Sequence, residues 1–326
     1  MTMPTVNHYL TWLGAMYSEA ARLRHREIEP EHMLLGLLAQ GGTAAAVLAA
    51  QGVTLAQARS AVDKMADADL ARVGISVSAS LRPAPVAVDD LDQYVGSDIP
   101  LSQAAADLMS TRGTSFATSG QALQALISSS TASPQSRVVR LLVHCGVDVG
   151  RLRTELSETV IAKTPASRRY RVTDEYSSHG LDRVISQERF VSGPMAHVAA
   201  LLSDPDRLTW WALPREQLAE ALSDGAVQRV EGRGRIGFMR WRLEAATPAR
   251  ITWSCTAVSG RHDGETVFVK DLHLTEAPGG TRVRLVLAHR TWGRLGPLLY
   301  RFSWRWNRLG LENTLIGIAR AAAEDS

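Results

Sequence analysis

The sequence predicts two domains of different class, an all-α domain built from two copies of one helical unit and an α+β domain that ends in a long helix. Apolar residues recur at steps of three and four up to about residue 160 and alternate with polar residues beyond residue 180. With 326 residues, 45% of them hydrophobic, the chain is long enough to bury two cores. The predicted boundaries are a helical domain at 1–160, a linker at 161–180 and an α+β domain at 181–326.

Charge, hydropathy and cysteine content exclude several other classes of protein. The net charge is +3, and no dense basic run accompanies it, so no nucleic-acid partner is expected. No apolar run reaches the roughly 18 residues that a membrane span needs. The N-terminus also lacks a leader pattern, so we expect a cytoplasmic protein without a transmembrane segment. Cys145 and Cys255 fall in different predicted domains, which favours buried free thiols and predicts no metal site.

The first helical unit is predicted from periodicity and caps. Apolar residues between Leu10 and Leu23 lie on one helical face. A second helix begins at Pro30, where the first turn tolerates a missing N–H, and it is apolar on nearly all sides. It should therefore be central and buried. Thr43 and Thr54 can cap two further short helices, which gives four helices in the unit.

The second unit is recognised as a loosened repeat of the first. The segment 52–59 reappears as 146–153, and in both a glycine ends one helix before a capping residue begins the next. Upstream, 28–38 aligns with 116–126 if the second copy accepts a Ser/Thr-rich insertion at 128–136. The proline-containing, acidic stretch 78–100 is predicted as the loop that joins the copies.

The second domain is predicted as an antiparallel meander with helices. Six segments alternate as strands, at 183–191, 226–231, 236–245, 250–258, 266–275 and 281–289. Glycine-rich turns at 260–264 and 278–280 connect the later strands as hairpins. Two helices are predicted between the first two strands, at 194–203 and 214–222, and a long helix at about 296–322 follows the last strand.

The run from Ala20 to Leu38, AARLRHREIEPEHMLLGLL, closely resembles the repeat of the Clp N-terminal domain, which lies at the front of bacterial Clp-family unfoldases. With the second copy, the resemblance covers about 150 residues of the chain. It implies an eight-helix, pseudo-twofold domain that receives substrates, adaptors or cyclic peptide antibiotics for a Clp-family ATPase. The chain contains no G-x-x-x-x-G-K-[ST] motif, so it cannot hydrolyse ATP by the P-loop mechanism.

The resemblance also implies a peptide-binding site at Glu31 and His32. In some relatives, a carboxylate at this helix start in each repeat holds the guanidinium of phosphoarginine-tagged substrates. Ser119 or Gly120 occupies the equivalent place in the second repeat, which puts a second site in doubt. The alternative interpretation of Glu31 is a carboxylate that stabilises the helix dipole by about 0.5 kcal/mol. His32 is expected to be structural rather than catalytic, because no nucleophile or metal-ligand spacing accompanies it.

The element order of the second domain resembles the START-like or SRPBCC (polyketide cyclase-like) superfamily, whose helix-grip fold encloses an apolar cavity. The resemblance rests on the order of elements rather than on a motif, and it implies an apolar small-molecule ligand. The candidate cavity-lining residues are Trp210, Trp241, Trp253, Phe268, Leu285 and Phe302. An ordinary aromatic core accounts for the tryptophans equally well. The stretch 232–237 matches G-x-G-x-x-G but leads into a strand, so it is predicted as a strand turn.

Together these features favour a binding protein, without enzymatic activity or cofactor, that acts as an adaptor or a decoy in the Clp system. The alternative is a cyclase, dehydratase or hydrolase that uses the second cavity. Its acid–base groups would come from Glu244, Asp271, His273 and His289. Strand alternation predicts that Asp271 and His273 point outward, away from such a cavity.

Overall fold

The computed structural model of the protein describes the main part of both predicted domains. The described residues are 3–76, 78, 84, 86, 99–110, 118–130, 136–161, 168–170, 174–232, 235–291 and 296–324. Most of the predicted loop 78–100 and residues 131–135 of the predicted insertion 128–136 lie outside them. For some residues of the helices and strands, Phe302 among them, only the backbone is described.

The N-terminal domain contains eight described helices, four in each repeat, as predicted. The first repeat consists of α1 (Met3–Arg22), α2 (Pro30–Gln40), α3 (Thr43–Ala50) and α4 (Leu55–Arg72). The second consists of α5 (Gln103–Ser110), α6 (Ser119–Ser130), α7 (Arg137–His144) and α8 (Val149–Ile161). Every residue of α2 is buried, which confirms that this helix is central.

The two helix stops of the repeat have the same local structure. Gly52 and Gly146 have φ values of 84° and 79°, where glycine avoids the penalty that a Cβ imposes. The side chains of Thr54 and Asp148 each accept a hydrogen bond from the backbone N–H three residues further on, at 3.2 and 3.1 Å. Glycine and capping residue therefore act alike in both copies.

The N-terminus of α3 is capped by the other repeat. The N-cap residue is Gly42, which offers no side chain, and Thr43 is the first residue of the helix. Ser119 Oγ, at the start of α6, accepts a hydrogen bond from the Ala44 N–H at 3.1 Å. The prediction that Thr43 caps this helix is therefore wrong, because a tertiary contact supplies the oxygen.

The second domain is built on an antiparallel sheet in the order β1-β2-β8-β7-β6-β5-β4-β3. Its strands are β1 (Arg168–Tyr170), β2 (Arg183–Val191), β3 (Leu218–Leu222), β4 (Gly225–Gly232), β5 (Arg235–Thr247), β6 (Arg250–Ala257), β7 (Thr266–Ala277) and β8 (Gly280–His289). Its helices are α9 (Asp174–Ser177), α10 (Met195–Ser203), α11 (Leu208–Trp211) and α12 (Gly296–Glu324). The inward face of the sheet and α12 share one apolar core, which completes the predicted helix-grip arrangement.

The segment 214–222, predicted as a helix, is a strand for most of its length. A short 3₁₀ turn at Arg215–Gln217 leads into β3, which pairs antiparallel with β4. The Leu, Ala and Glu residues of this segment favour a helix locally. Pairing with β4 satisfies backbone groups that would otherwise lie open at the sheet edge, and this overrides the local preference.

The segment 161–180, predicted as a linker, contains two elements that pack on the second domain. Residues 168–170 form β1 and pair with β2. Helix α9 follows, and its Tyr176 is buried against Leu181, Val184 and Val269 on the outward face of the sheet. The chain therefore crosses the outward face of the sheet before it enters β2.

Neither a membrane span nor a metal cluster is found in the described ranges. No single helix there is both long and apolar enough to cross a membrane. Among the described helices, only α2 and α3 taken together are long and apolar enough, and the chain bends by 97° between them. No group of three or more His, Cys, Asp or Glu side chains in those ranges could hold a metal ion. Both cysteines are free, and Cys255 is buried as predicted, whereas Cys145 is only half-buried because it follows the end of α7.

The two domains meet where α2 ends and β2 ends. Ser192 Oγ donates a hydrogen bond to the Leu38 carbonyl at 2.6 Å, and the Gly42 N–H donates to the Phe190 carbonyl at 2.8 Å. Between these contacts, Gly41 has a φ of 70° and lies so close that an added Cβ would overlap the Phe190 oxygen. The turn between α2 and α3 is therefore fitted to β2 without space for a side chain.

The C-terminus of α12 is held by arginines of the helical domain. Arg59 Nη2 donates to the Ala323 carbonyl at 2.9 Å, and Arg22 Nη1 donates to the Glu324 carbonyl at 3.1 Å. Cations at this helix end also oppose the negative end of the helix dipole. Arg59 is held in place by Glu19, at 2.7 Å. The helix that closes the second domain is thus anchored on the first.

Candidate functional site

Glu31, the predicted guanidinium-binding residue, already binds a guanidinium from its own domain. It lies in the first turn of α2 with 2% of its surface exposed. Its Oε1 contacts Nη1 of Arg137, the first residue of α7, at 3.1 Å. Its Oε2 is buried and has no hydrogen-bond partner among the described residues. Burial raises the pKa of Glu31, while the positive charge of Arg137 opposes that rise.

A related contact joins the equivalent positions of the other repeat. Ser119 takes the place of Glu31 at the start of α6, and it reaches the N-terminus of α3 as Glu31 reaches the N-terminus of α7. Each second helix therefore touches the start of the third helix in the opposite repeat, as a pseudo-twofold domain requires. Ser119 offers no carboxylate, and its oxygen already caps α3.

His32 connects α2 to the loop before it. Its Nδ1 accepts a hydrogen bond from the Glu29 N–H at 2.8 Å, so the ring proton is assigned to Nε2. Nε2 then donates to His25 Nδ1, also at 2.8 Å. The imidazole is fully buried, and this burial, reinforced by the charges of His25 and Arg137, lowers the pKa of His32 to about 3. His32 thus holds the helix start beside Glu31 as a neutral ring.

Replacing His32 with Gln is expected to reduce the acid sensitivity of the protein. The pKa of His32 is about 3 in the folded state, against about 6.5 in the unfolded chain, so only the unfolded state takes up a proton between these values. The stabilisation is therefore present above pH 6.5 and is lost as the pH falls, by up to about 1.4 kcal/mol per pH unit. A glutamine oxygen can still accept from the Glu29 N–H.

Urea unfolding at pH 7, 6, 5 and 4 measures this effect. The His32→Gln variant should show a flatter dependence of the unfolding free energy on pH than the wild type. Exposed His144→Gln serves as the matched control and should follow the wild type. Parallel curves for wild type and His32→Gln would contradict the neutral, buried state of His32.

Four cavity candidates of the second domain lie on the inward face of the sheet, facing α12. Trp241 and Phe268 pack edge to face, with ring centroids 5.0 Å apart. Trp253 and Leu285 have no exposed surface, and Trp253 Nε1 donates to the Leu202 carbonyl at 2.9 Å, so these two belong to the packed core. Phe268 is only partly buried.

The other two cavity candidates are placed less centrally. Trp210, on α11, is half-buried at the margin of the same core, and the Arg207 guanidinium lies 5.0 Å from the centre of its ring. Phe302 lies in α12, and its side chain is outside the described part of the structure. The lining role of all six residues remains a prediction.

Lys270 is a polar residue of this core that the sequence analysis missed. Its Nζ lies 5.0 Å from the ring centroid of Trp241, 5.9 Å from that of Trp211 and 6.0 Å from that of Phe268. The same atom donates to Thr314 Oγ1 of α12 at 3.3 Å. Desolvation by burial lowers the pKa of Lys270 to about 8. The sequence carries a signal for it, because one of only three lysines occupies an inward, apolar position of β7.

Asp271 and His273 point outward, as strand alternation predicted, and belong to a cluster of polar side chains. Asp271 has no exposed surface and accepts hydrogen bonds from Arg250 at 2.7 Å, Tyr176 at 2.8 Å and Thr252 at 3.1 Å. His273 Nε2 lies 3.2 Å from the same carboxylate. Burial alone would raise the pKa of Asp271, but the hydrogen bonds from His273, Arg250 and Tyr176 outweigh it and lower that pKa.

The two remaining acid–base candidates lie apart from this cluster. Glu244 is exposed and pairs with Arg242 at 2.9 Å and Ser254 Oγ at 2.5 Å. His289 is half-buried, with Nε2 3.4 Å from the amide nitrogen of Asn307 in α12. Desolvation by burial lowers the pKa of His289. No geometry in the described residues joins the four candidates into one acid–base site.

Residues 11–133 match the model of the Clp repeat (R) N-terminal domain family. The chain therefore carries a Clp repeat N-terminal domain, which confirms the resemblance seen in its sequence. No curated protein sequence matches the chain.

Solved structures similar to this chain are small α+β proteins that match its C-terminal region. Protein Ms6760 from Mycobacterium smegmatis is 13% identical, with a TM-score of 0.31 over 47% of this chain and 95% of its own. Mll3558 from Rhizobium loti is 16% identical, with a TM-score of 0.34 over 42% and 95%. DynU16, from the dynemicin biosynthetic locus, is 19% identical, with a TM-score of 0.28 over 42% and 46%. The helix-grip description of the second domain comes from its own sheet order and its closing helix.

Proposed function

We propose that this protein is a receptor of the Clp proteolytic system that binds its partners without a nucleotide-driven motor in this chain. The observation that supports this most directly is the Clp repeat domain at 11–133, in a sequence without a P-loop. Its partners are a Clp-family ATPase, the substrates of that ATPase, or cyclic peptides that target it. It acts by binding, as an adaptor that delivers substrates or as a decoy that withholds them.

Phosphoarginine on such a substrate would compete with Arg137 for Glu31. The Arg137 guanidinium already pairs with the carboxylate that the family resemblance assigns to the ligand, and Glu29 lies 3.8 Å from the same group. The Arg137 side chain is 40% exposed at the start of α7, so solvent reaches the arginine side of this pair. A tagged peptide must therefore bind Glu31 more strongly than Arg137 does.

A labelled peptide that carries one phosphoarginine tests this role on the full-length protein. Arg137→Ala is expected to tighten binding about tenfold, because a competing pair worth about 1.4 kcal/mol is removed. Glu31→Gln is expected to weaken binding at least about tenfold, because the neutral amide cannot form an ion pair with the guanidinium. Exposed Arg151→Ala is the matched control. The peptide with unmodified arginine should bind weakly to every variant.

Addition of the protein to a reconstituted Clp degradation reaction then separates the two roles. An adaptor accelerates the degradation of the tagged substrate, and a decoy slows it. The proposal would be abandoned if the protein neither bound the peptide nor changed the rate of degradation.

In the second domain we propose a site for an apolar small molecule between the sheet and α12. Support comes from Phe268 and Lys270, which keep accessible surface beside the fully buried Trp253 and Leu272 on the same face. Binding rather than catalysis is favoured at this site, because Asp271 and His273 point to the opposite face of the sheet.

A further inference from the structure

We propose that Lys270 is the charged anchor of the second domain's binding site, and that the ligand is an apolar molecule carrying one carboxylate. This inference deepens the proposed small-molecule function and rests on it. Nothing in the sequence resemblance assigns a role to this lysine.

Lys270 occupies a row of the sheet that is otherwise apolar. In register, it lies between Trp253 of β6 and Leu287 of β8, and Leu272 follows it on the same face. Trp253 and Leu272 have no exposed surface. A lysine at this position sends its ammonium under α12 rather than into solvent, where a lysine ordinarily places its charge.

The ammonium has no negative partner in the described part of the chain. Its hydrogen bond goes to the neutral Thr314 hydroxyl, and no described carboxylate lies within ion-pair distance. The neighbouring Cys255 supplies no negative charge, because burial raises its thiol pKa to about 12. Cation–π contacts offset only part of the free-energy cost of removing an ammonium from water. An anion from a ligand would complete the site.

The surroundings of the ammonium define the remainder of the ligand. Trp211, Trp241 and Phe268 present their rings to Nζ, and both Phe268 and Lys270 retain accessible surface. Solvent therefore reaches this cluster. Apolar walls around one charged group favour a ligand with an apolar body and one anionic end. A carboxylate matches the single positive charge of the ammonium and can accept a charge-assisted hydrogen bond from it.

Calorimetric titration of the full-length protein with dodecanoate and with dodecanol tests the proposal. The two probes share an apolar chain and differ in charge. The wild type should bind dodecanoate at least about tenfold more tightly than dodecanol. Lys270→Met should lose that preference while still binding dodecanol. Lys270→Gln, which keeps a polar side chain, should behave in the same way, and exposed Lys64→Met should match the wild type.

Each other result is decisive. Equal affinity of the wild type for both probes, or an unchanged preference in either Lys270 variant, would overturn the role of Lys270 and leave the apolar site standing. If neither probe binds the wild type, both the apolar site and the lysine anchor are refuted. If both Lys270 variants fail to fold, the preference of the wild type for dodecanoate over dodecanol decides whether the site has a charged anchor.

Discussion

Gly41→Ala is expected to lower the free energy of unfolding by about 3 kcal/mol and to loosen the contact between the two domains. Part of the cost is strain, because an L-residue at a φ of 70° costs about 1–2 kcal/mol. The remainder comes from overlap of the new methyl group with the Phe190 carbonyl oxygen and its close approach to Ala319 of α12. Overpacking of this kind costs about 1–3 kcal/mol.

Gly52→Ala isolates the two contributions. Gly52 has a φ of 84°, but no atom lies within 4 Å of the position of an added Cβ. It should therefore cost only the backbone strain, about 1–2 kcal/mol. Urea unfolding gives the free energies, and hydrogen exchange at the Gly42 N–H, which donates to Phe190, gives the state of the interface. Equal costs for the two variants would contradict tight docking at Gly41.

This interface connects the two proposed binding sites. Helix α2 carries Glu31 at its start and meets β2 at its end, and α12 carries Thr314 and ends on the helical domain. A ligand that shifts α12 would therefore act on a helix that the helical domain holds through Arg59 and Arg22. The docking contact tested at Gly41 is one of the contacts that join the two domains.

Asp271→Ala is expected to lower the free energy of unfolding by about 3 kcal/mol, because it removes the acceptor shared by several donors in a buried cluster. Arg250 would keep Glu175 as a partner, at 2.5 Å, but the Tyr176 hydroxyl would lose its bond to Asp271. Since Tyr176 packs α9 onto the outward face of the sheet, amide exchange in residues 174–180 should accelerate.

Tyr176→Phe is the milder companion change. It removes one hydrogen bond and keeps the ring, so it should cost about 1 kcal/mol. Urea unfolding with hydrogen exchange measures both variants. If Asp271→Ala lowered the free energy of unfolding no more than Tyr176→Phe, the buried carboxylate would not be what holds residues 174–180 on the sheet.

Much of the fold could be predicted because its signals are local. The turns at 260–264 and 278–280 contain Gly260, Gly264 and Gly279 at positive φ, as hairpin turns require. Predicted strand 183–191 coincides with β2. The helix predicted at 214–222 was wrong because the local signal there differs from the structure that pairing selects. Its residues favour a helix one by one, and only pairing with the edge of β4, the next strand along the chain, selects a strand.

The candidate sites were less predictable, because a charged group takes its properties from its neighbours in space. The family resemblance led to Glu31 but not to Arg137, which comes from the other repeat and occupies the carboxylate. Lys270 was missed because strand alternation places it inward without stating what it meets there. Its three rings come from α11, β5 and β7.

The sequence by itself determined that this protein has a duplicated helical domain followed by an antiparallel α+β domain, since periodicity, caps and glycine turns depend on neighbours along the chain. Tertiary structure alone decided which guanidinium Glu31 holds, how the α2–α3 turn docks on β2, and that Lys270 lies beneath α12 without an acidic partner in the described residues. Burial and electrostatic pairing are set by segments far apart in sequence, so no local pattern records them.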